Sequence, residues 1–260
     1  MDLGLEDKVA LVVASSKGLG KASAVALAAE GARVTICART QANLDAAADE
    51  IRAQTKADVL AVPADVSTAD GIQRVVAATV ERFGSVDVLV NNSGGPATGP
   101  FEAHSDDDWR QAFEAVTLNF VRFVREVVPH MRKKKWGRIV GIQSSSVKEP
   151  VANLVMSNGI RPGIAGLMKS LMPELAKDGI TINLVLPGIF LTDRVRHGLA
   201  GPPGVDDQTI IDHVAGLIPA GRLGDPAEVG TLVAFLASER AAYVTGAVYQ
   251  IDGGIIHSNV

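Results

Sequence analysis

The feature that most constrains the fold is a repeated pairing of a short aliphatic run with a longer helix-forming stretch. The first four aliphatic runs are 9–14, 33–38, 59–62 and 86–90, and their starts lie 24, 26 and 27 residues apart. An aliphatic run without polar alternation is typical of a strand that is buried on both faces. Strands that alternate with helices at this spacing predict right-handed βαβ units and a parallel sheet with helices on both sides.

The second half of the chain continues the same pattern. Helices are predicted over 21–30, 41–55, 69–83, 109–135, 157–177 and 226–238, and further strands over 138–143, 180–186 and 247–251. No linker-like stretch interrupts the pattern, so we predict one α/β domain over 1–260 with a doubly wound parallel sheet. The stretch 189–221, which holds Gly201, Pro202, Pro203 and Gly204, is predicted to be an irregular substrate lid.

Charge and composition exclude several classes of protein. Lys and Arg number 25 against 29 Asp and Glu, and this net charge of −4 disfavours binding to a nucleic-acid backbone. The one cysteine, Cys37, excludes an intrachain disulfide and a cysteine-based zinc cage, and no metal site is predicted. No apolar stretch reaches the roughly 20 residues that span a bilayer, and the N-terminus is acidic. We therefore expect a soluble cytoplasmic protein without a nucleic-acid or membrane partner.

A glycine-containing turn links the first predicted strand to the first predicted helix. Its residues are Ser15, Ser16, Lys17, Gly18, Leu19 and Gly20. Glycine lets the backbone approach a pyrophosphate closely, and a helix N-terminus offers unpaired N–H groups to its charge. Because ligands of open α/β sheets bind at the carboxyl ends of the strands, this turn is a candidate dinucleotide site.

The end of the second predicted strand bears on the choice of dinucleotide. An acidic residue there would bind the ribose hydroxyls of NAD, whereas an arginine would bind the 2′-phosphate of NADP. The strand ends at Ala38 and Arg39, with Lys17 as a second cation in the glycine turn. The alternative is that Arg39 is an ordinary surface charge. We predict NADP(H) as the cofactor.

The chain resembles the short-chain dehydrogenase/reductase family over nearly its whole length, and most closely its 3-oxoacyl-(acyl-carrier-protein) reductase-like branch. The motifs that carry this resemblance are Ser15–Gly20, Asp65 with Val66, Asn91–Gly94, Pro187 and Gly188 with Thr192, Gly221 and Arg222 with Pro226 and Glu228, Thr245 with Gly246, and Asp252–Gly254. The resemblance implies a single-domain Rossmann-type fold. It also implies cofactor contacts from Asp65, Val66, Asn92, Ser93, Gly94, Pro187, Gly188, Ile189 and Thr192. One departure is Ala14, which stands where the family usually has glycine and should crowd the turn slightly.

The catalytic positions implied by the resemblance do not hold the usual residues. Members of the family transfer a hydride between a cofactor and a carbonyl/alcohol pair with the help of an Asn, a Ser, a Tyr and a Lys. In this chain the four positions fall on Val116, Ser144, Ser157 and Arg161, so only Ser144 is retained. A serine hydroxyl is a much weaker acid than a tyrosine, and an arginine stays charged where a lysine can relay a proton. Arg161 could instead hold a carboxylate or phosphate through paired hydrogen bonds.

Several functions remain open from these residues. The leading prediction is an NADPH-linked oxidoreductase with a non-standard catalytic site of Ser144, Ser157 and Arg161, acting on a small-molecule carbonyl or alcohol. A non-redox enzyme, such as a dehydratase or lyase, and a nucleotide-binding protein without turnover are the alternatives. Lys148, Glu149 and His197 are candidate proton donors, each with the alternative of a surface position. Asn119 is a poor substitute for the missing Asn by spacing, and the sequence does not identify the substrate.

The predicted helix that starts at Ser157 has two unusual features. Pro162 removes an N–H group and is expected to disturb the turn around Asn158 and Arg161. Gly159, Gly163 and Gly166 leave one side of the helix flat. In the resembling family this helix packs against a partner subunit, which implies a homodimer or homotetramer. The alternative is that the glycines let the helix lie close to its own sheet.

Overall fold

The computed structural model describes residues 1–193, 195 and 206–258, and these residues form a seven-stranded parallel sheet covered by helices. The strands are β1 Val9–Val12, β2 Arg33–Ala38, β3 Val59–Pro63, β4 Val88–Asn91, β5 Gly137–Ile142, β6 Ile180–Pro187 and β7 Val248–Ile251. The helices are α1 Gly18–Ala29, α2 Gln41–Thr55, α3 Ala69–Phe83, α4 Asp106–Phe113, α5 Asn119–Lys134, α6 Val155–Ala176, α7 Asp207–Gly216 and α8 Pro226–Ala237. The predicted α/β fold with one doubly wound sheet is confirmed.

The strand order β3-β2-β1-β4-β5-β6-β7 creates a switch point between β1 and β4. From β1 the chain builds outward on one side through β2 and β3, and from β4 it builds outward on the other side. The register sets Val12 opposite Val90, and Val90 opposite Val140. The segments that follow β1, β4 and β5 therefore emerge side by side at one edge of the sheet, where open α/β sheets bind ligands.

Aliphatic side chains on both faces of the sheet explain why β1, β4, β5 and β6 are buried along their whole length. On one face a cluster of buried side chains from α1, α2 and α8 covers the sheet, and on the other face a second cluster comes from α3, α5 and α6. Capping residues mark several helix starts. Thr68 caps α3, and Ser105 and Asp225 form capping boxes on α4 and α8.

Two sequence predictions about the elements are corrected by the structure. The helix predicted over 109–135 is divided into α4 and α5 by a π-helical turn over Glu114–Leu118. The helix predicted over 157–177 corresponds to α6, which runs through Pro162 without interruption. Packing of the buried face of α6 against the sheet is enough to hold the helix across the hydrogen bond that proline cannot make.

The stretch predicted as irregular, 189–221, contains the helix α7. Asp206 caps this helix by accepting a hydrogen bond from the Thr209 amide. The Gly- and Pro-rich residues next to it conceal this helix in the sequence, and 194 and 196–205 lie outside the described residues. Within the part of the chain that the structure describes, no helix combines the length and apolarity that a membrane span requires.

Candidate functional site: a nucleotide cleft beside a serine–arginine cluster

The turn between β1 and α1 has the backbone shape of an anion-binding loop. Gly18 has a φ of +56°, and the first turn of α1 follows from Lys17, whose side chain makes no cap hydrogen bond. The amides of Gly18, Leu19 and Gly20 therefore lie in the first helical turn, where N–H groups have no partner within the helix. A Cβ on Gly20 would lie 2.5 Å from the Ala14 carbonyl oxygen, so only glycine fits there. This arrangement suits a phosphate group.

Ser15, which was predicted to bind the cofactor, uses its side chain within the protein. Its hydroxyl donates to the Val12 carbonyl at 2.7 Å and accepts from the Cys37 amide at 3.1 Å, and the residue is fully buried. Its side chain thus ties β1 to β2, and its backbone amide also donates to the Cys37 carbonyl, at 3.0 Å. Burial raises the pKa of the neighbouring Cys37 thiol to about 12, so Cys37 is a structural residue and not a reactive thiol.

The structure brings three of the predicted nucleotide segments together. The Asn92 amide donates to the Ala14 carbonyl at 3.3 Å, which joins the segment after β4 to the glycine turn. A Cβ placed on Gly18 would lie 3.5 Å from Thr192 Cγ2, so the segment after β6 reaches the same turn. Gly94 faces open space, and Ser93 is half-buried beside it. Together with Ser16, Pro187, Gly188 and Ile189, these residues line one edge of the sheet.

Cations and a carboxylate occupy the far end of this edge. Arg39, directly after β2, and Lys17 are both exposed to solvent. The amide and hydroxyl of Ser67 hydrogen-bond the Asp65 carboxylate and, with the charge of Arg39, hold the pKa of Asp65 below its usual range. Arg39 and Asp65 are therefore close enough to interact. Both remain accessible to a ligand that extends from the glycine turn.

A buried asparagine pair supports the segment after β3. Asn91 donates to Asn119 at 2.9 Å, and Asn119 donates to the Val66 carbonyl at 2.6 Å. Both asparagines are about 1% exposed, and their side-chain amides donate to protein groups. Asn119 thus supports Val66 and does not replace the missing catalytic asparagine. The wide separation of the partners along the chain conceals this role in the sequence.

The predicted catalytic positions do converge beyond the end of β5. Ser144 is half-buried at the start of a short 3-10 turn, and its hydroxyl accepts from the Ser146 amide at 3.2 Å. Ser157 and Arg161 lie one turn apart on α6, and the Arg161 Nε donates to the Ser157 hydroxyl at 3.1 Å. Val116, in the π-helical turn, is a buried core residue.

Two residues that were not predicted complete this cluster. Gln143 Oε1 accepts from the Arg161 guanidinium at 2.9 Å, and the Ser146 hydroxyl lies 3.0 Å from that of Ser157. Each of the four linked side chains belongs to a residue less than 9% exposed. The only signal for Gln143 and Ser146 in the sequence is their position on either side of Ser144.

The candidate proton donors differ in position. Lys148 Nζ donates to Gln250 on β7 at 2.8 Å, and Glu149 accepts from the His257 amide, so both side chains bind the C-terminal part of the chain. His197 lies outside the described residues. Tyr243 is fully exposed beside the amino-terminal end of β6, at the edge opposite the cluster. Among the residues that the structure describes, no group of three His, Cys, Asp or Glu side chains could hold a metal ion.

Comparison with known proteins gives consistent relatives over almost the full chain. A family model described as enoyl-(acyl carrier protein) reductase matches residues 13–256. The 3-oxoacyl-(acyl-carrier-protein) reductase of Vibrio cholerae is 34% identical over 255 residues, which cover 97% of this chain and 99% of that protein. The granaticin polyketide synthase putative ketoacyl reductase 1 of Streptomyces violaceoruber is 36% identical over 252 residues, covering 95% and 92%.

Solved structures show the same likeness. The L-sorbose reductase of Gluconobacter frateurii, crystallised with NADPH and L-sorbose, superimposes with a TM-score of 0.95 at 32% identity. The alignment covers 99% of this chain and 100% of that one.

Proposed function

The chain belongs to the short-chain dehydrogenase/reductase family, and from that premise we propose that it is an NADP(H)-linked oxidoreductase. Its substrate is a small-molecule carbonyl or alcohol. The observation that carries the proposal is the convergence of the glycine turn, the ends of β4 and β6 and the Ser144 cluster at one edge of the sheet. Ligands of such sheets bind at this edge.

The residues at this edge fit a dinucleotide phosphate. The left-handed backbone at Gly18 and the lack of room beside Gly20 form a cradle that a Cβ would fill. We assign the cofactor contacts to Ser15 through its backbone carbonyl and to Ser16, Lys17, Gly18, Leu19, Gly20, Arg39, Asp65, Val66, Asn92, Ser93, Gly94, Pro187, Gly188, Ile189 and Thr192. When bound, NADPH supplies a hydride. The exposed cations Arg39 and Lys17 would hold the 2′-phosphate that distinguishes it from NADH.

The catalytic roles fall to Ser144, Ser157 and Arg161, in a non-standard arrangement. Because the Ser144 hydroxyl accepts from the Ser146 amide, its own proton is free to point at a substrate oxygen. The guanidinium of Arg161 places a permanent positive charge next to Ser157. This charge favours the negative charge that develops on the substrate oxygen. None of these groups is an acid of suitable pKa, so the proton that completes an alcohol comes from the bulk solvent and is relayed by water in the cleft.

Two alternatives to an oxidoreductase follow from the same replaced residues. The replacement of the usual acid by Ser157 and of the usual lysine by Arg161 would equally suit a lyase or dehydratase-like enzyme with an acidic substrate. A nucleotide-binding protein without turnover would tolerate the same changes. These three functions differ in whether NADPH is bound and whether it is consumed.

The cofactor assignment is tested by calorimetric titration with NADPH and then NADH. Arg39→Glu should weaken NADPH binding by about tenfold to a hundredfold and leave NADH nearly unchanged, because it removes one charge-assisted contact and adds repulsion. Arg74→Glu, an equally exposed charge reversal on α3, is the matched control and should change neither affinity. Equal losses for both nucleotides in Arg39→Glu would refute the assignment.

The reaction is tested by following NADPH absorbance with two probes, acetoacetyl-coenzyme A as a 3-oxoacyl thioester and L-sorbose as a keto sugar. Ser144→Ala should abolish consumption of NADPH, whereas Ser145→Ala, the adjacent serine, should retain it. Binding of NADPH with no consumption by either probe would favour the binding protein. Conversion of a substrate without consumption would favour the lyase.

The substrate and subunit proposals rest on two further segments. We assign 189–221 to the substrate side of the cleft as a lid, since it follows β6 directly at the ligand edge. Gly163 and Gly166 of α6 are exposed and face open space, so they do not serve close packing on the chain's own sheet. This exposed helix face would suit a homodimer or homotetramer, and sedimentation of the wild type and of Gly163→Trp would test it.

A further inference from the structure

A continuous chain of hydrogen bonds links four buried side chains below Ser144. It runs from Gln143 through Arg161 and Ser157 to Ser146, with distances of 2.9, 3.1 and 3.0 Å. The partners come from two different parts of the fold, since Gln143 and Ser146 follow β5 whereas Ser157 and Arg161 belong to α6. The chain therefore joins the segment that carries Ser144 to the helix that carries the cation.

The chemistry of the groups sets the direction of one bond and limits the others. An arginine guanidinium has only donors, so Ser157 Oγ must accept from Arg161 Nε. The hydroxyls of Ser157 and Ser146 have two protons between them, and the bond that joins them uses one. The remaining O–H proton of the pair is then available to an acceptor. If Ser157 donates to Ser146, that proton belongs to Ser146, and in the reverse arrangement it belongs to Ser157.

Gln143 is placed to hold the guanidinium in its orientation. Its backbone amide donates to the Val185 carbonyl at 2.8 Å, which anchors the residue on β6. Its side chain, on a residue 8% exposed, accepts from Arg161 Nη1. A long arginine side chain has many rotamers, and a second hydrogen bond on the far side of the guanidinium restricts them. Without that bond, the guanidinium loses one of the contacts that orient it.

We propose that Gln143 is a positioning residue for Arg161, and that Ser146 and Ser157 together present one hydroxyl donor beside Ser144 to the substrate oxygen. This proposal rests on the proposed function, because it takes the Ser144 cluster as the place where the carbonyl oxygen binds. It adds Gln143 and Ser146 to the catalytic site. The site then has two hydroxyl donors, one from Ser144 and one from the Ser146–Ser157 pair, and the guanidinium of Arg161 polarises the second.

The proposal can be tested without knowledge of the substrate by replacing Ser157 with a thiol. Cys37, the only natural cysteine, has a pKa of about 12 and will not titrate with an introduced thiol. The pKa of the thiol in Ser157→Cys is measured from the ultraviolet absorbance of the thiolate, as a difference from the parent protein. Ser145→Cys, in the same 3-10 turn as Ser146, is the matched control.

The expected pKa of the Ser157→Cys thiol is below about 7.5, because a cation within hydrogen-bonding distance stabilises a thiolate. The Ser145→Cys thiol should titrate near the ordinary value of about 8.5. Adding Gln143→Met, which keeps the volume but removes the acceptor, should raise the pKa of the Ser157→Cys thiol by about one unit, a tenfold smaller thiolate fraction at low pH. Adding Ser146→Ala should also raise it, since the thiolate loses a hydroxyl donor.

Each outcome decides a part of the proposal. An ordinary thiol pKa in Ser157→Cys, unchanged by Arg161→Met, would overturn the polarised donor pair. A low thiol pKa that responds to Arg161→Met but not to Gln143→Met would overturn the positioning role of Gln143. A thiol pKa that does not change on adding Ser146→Ala would exclude Ser146 from the donor pair. If Gln143→Met melts at a lower temperature than its parent, Gln143→Ala provides the second variant. The NADPH titration is independent of these values, so a failure of the proposed function is recognised separately.

Discussion

Ala14 adopts a backbone conformation that its side chain disfavours, which makes it the sharpest test of the glycine turn. Its φ is +50°, in the left-handed region, where an L-residue with a Cβ is strained by about 1–2 kcal/mol. Ala14→Gly removes this strain. The change also increases the conformational entropy of the unfolded chain, at a cost of about 0.4–1 kcal/mol, and loses part of one methyl group's burial.

The balance predicts that Ala14→Gly stabilises the protein by about 0.5 kcal/mol, an increase in Tm of about 1–2 °C for a chain of this size. Urea denaturation with matched thermal melts measures it. Lys56→Gly, at an exposed helix end with a φ of +59°, is the positive control, because it relieves the same strain without any loss of burial. Ala24→Gly, in the interior of α1, should instead destabilise by about 1 kcal/mol.

A loss of stability in Ala14→Gly would refute this reasoning. It would mean that the methyl group packs well enough in the turn to outweigh the backbone strain. The same variant should leave NADPH affinity unchanged or higher, because the turn then adopts the ligand-binding shape without strain.

Two further predictions follow from other parts of the structure. The paired hydrogen bonds from Arg222 lower the pKa of Glu228 to about 2, so this carboxylate stabilises the fold above its usual pKa and loses that effect as the pH falls towards 2. Glu228→Gln should therefore show a smaller loss of stability than the wild type between about pH 4.5 and pH 2 in acid denaturation, and parallel curves would contradict the pairing. The double change Ser157→Tyr with Arg161→Lys should raise NADPH consumption with acetoacetyl-coenzyme A, because it supplies an acid that a nearby cation can tune. An unchanged rate would mean that Val116 or the space around Ser146 limits the site instead.

The sheet could be predicted because its signal is local and repeated. Continuous aliphatic runs at 9–14, 33–38 and 59–62 correspond to β1, β2 and β3, with boundaries that agree to within about two residues. Where the prediction failed, long-range packing outweighed a local signal. A π-helical turn divides the helix predicted over 109–135, and α7 forms within a stretch that looks irregular.

The positions of the candidate catalytic groups could also be predicted, since Ser144, Ser157 and Arg161 do meet beyond β5. Their partners could not. Lys148 was a candidate proton donor, but its ammonium binds Gln250, which is 102 residues away. Asn119, a poor substitute for the missing asparagine by its spacing, supports Val66 with its side-chain amide. In each case the side-chain direction decides the role, and a sequence pattern does not specify it.

The sequence by itself determined the alternation of strands and helices, the single parallel sheet and the glycine turn at its first strand, because hydrophobic periodicity and backbone freedom at glycine act over a few residues. Only the tertiary structure decided which polar groups hydrogen-bond to each other. Gln143 reaches Arg161, and Ser146 reaches Ser157, across the gap between β5 and α6. That gap is closed by the packing of α6 on the sheet, and a hydrogen bond tolerates an error of only a few tenths of an ångström. The chemistry of this site therefore depends on contacts that no local pattern contains.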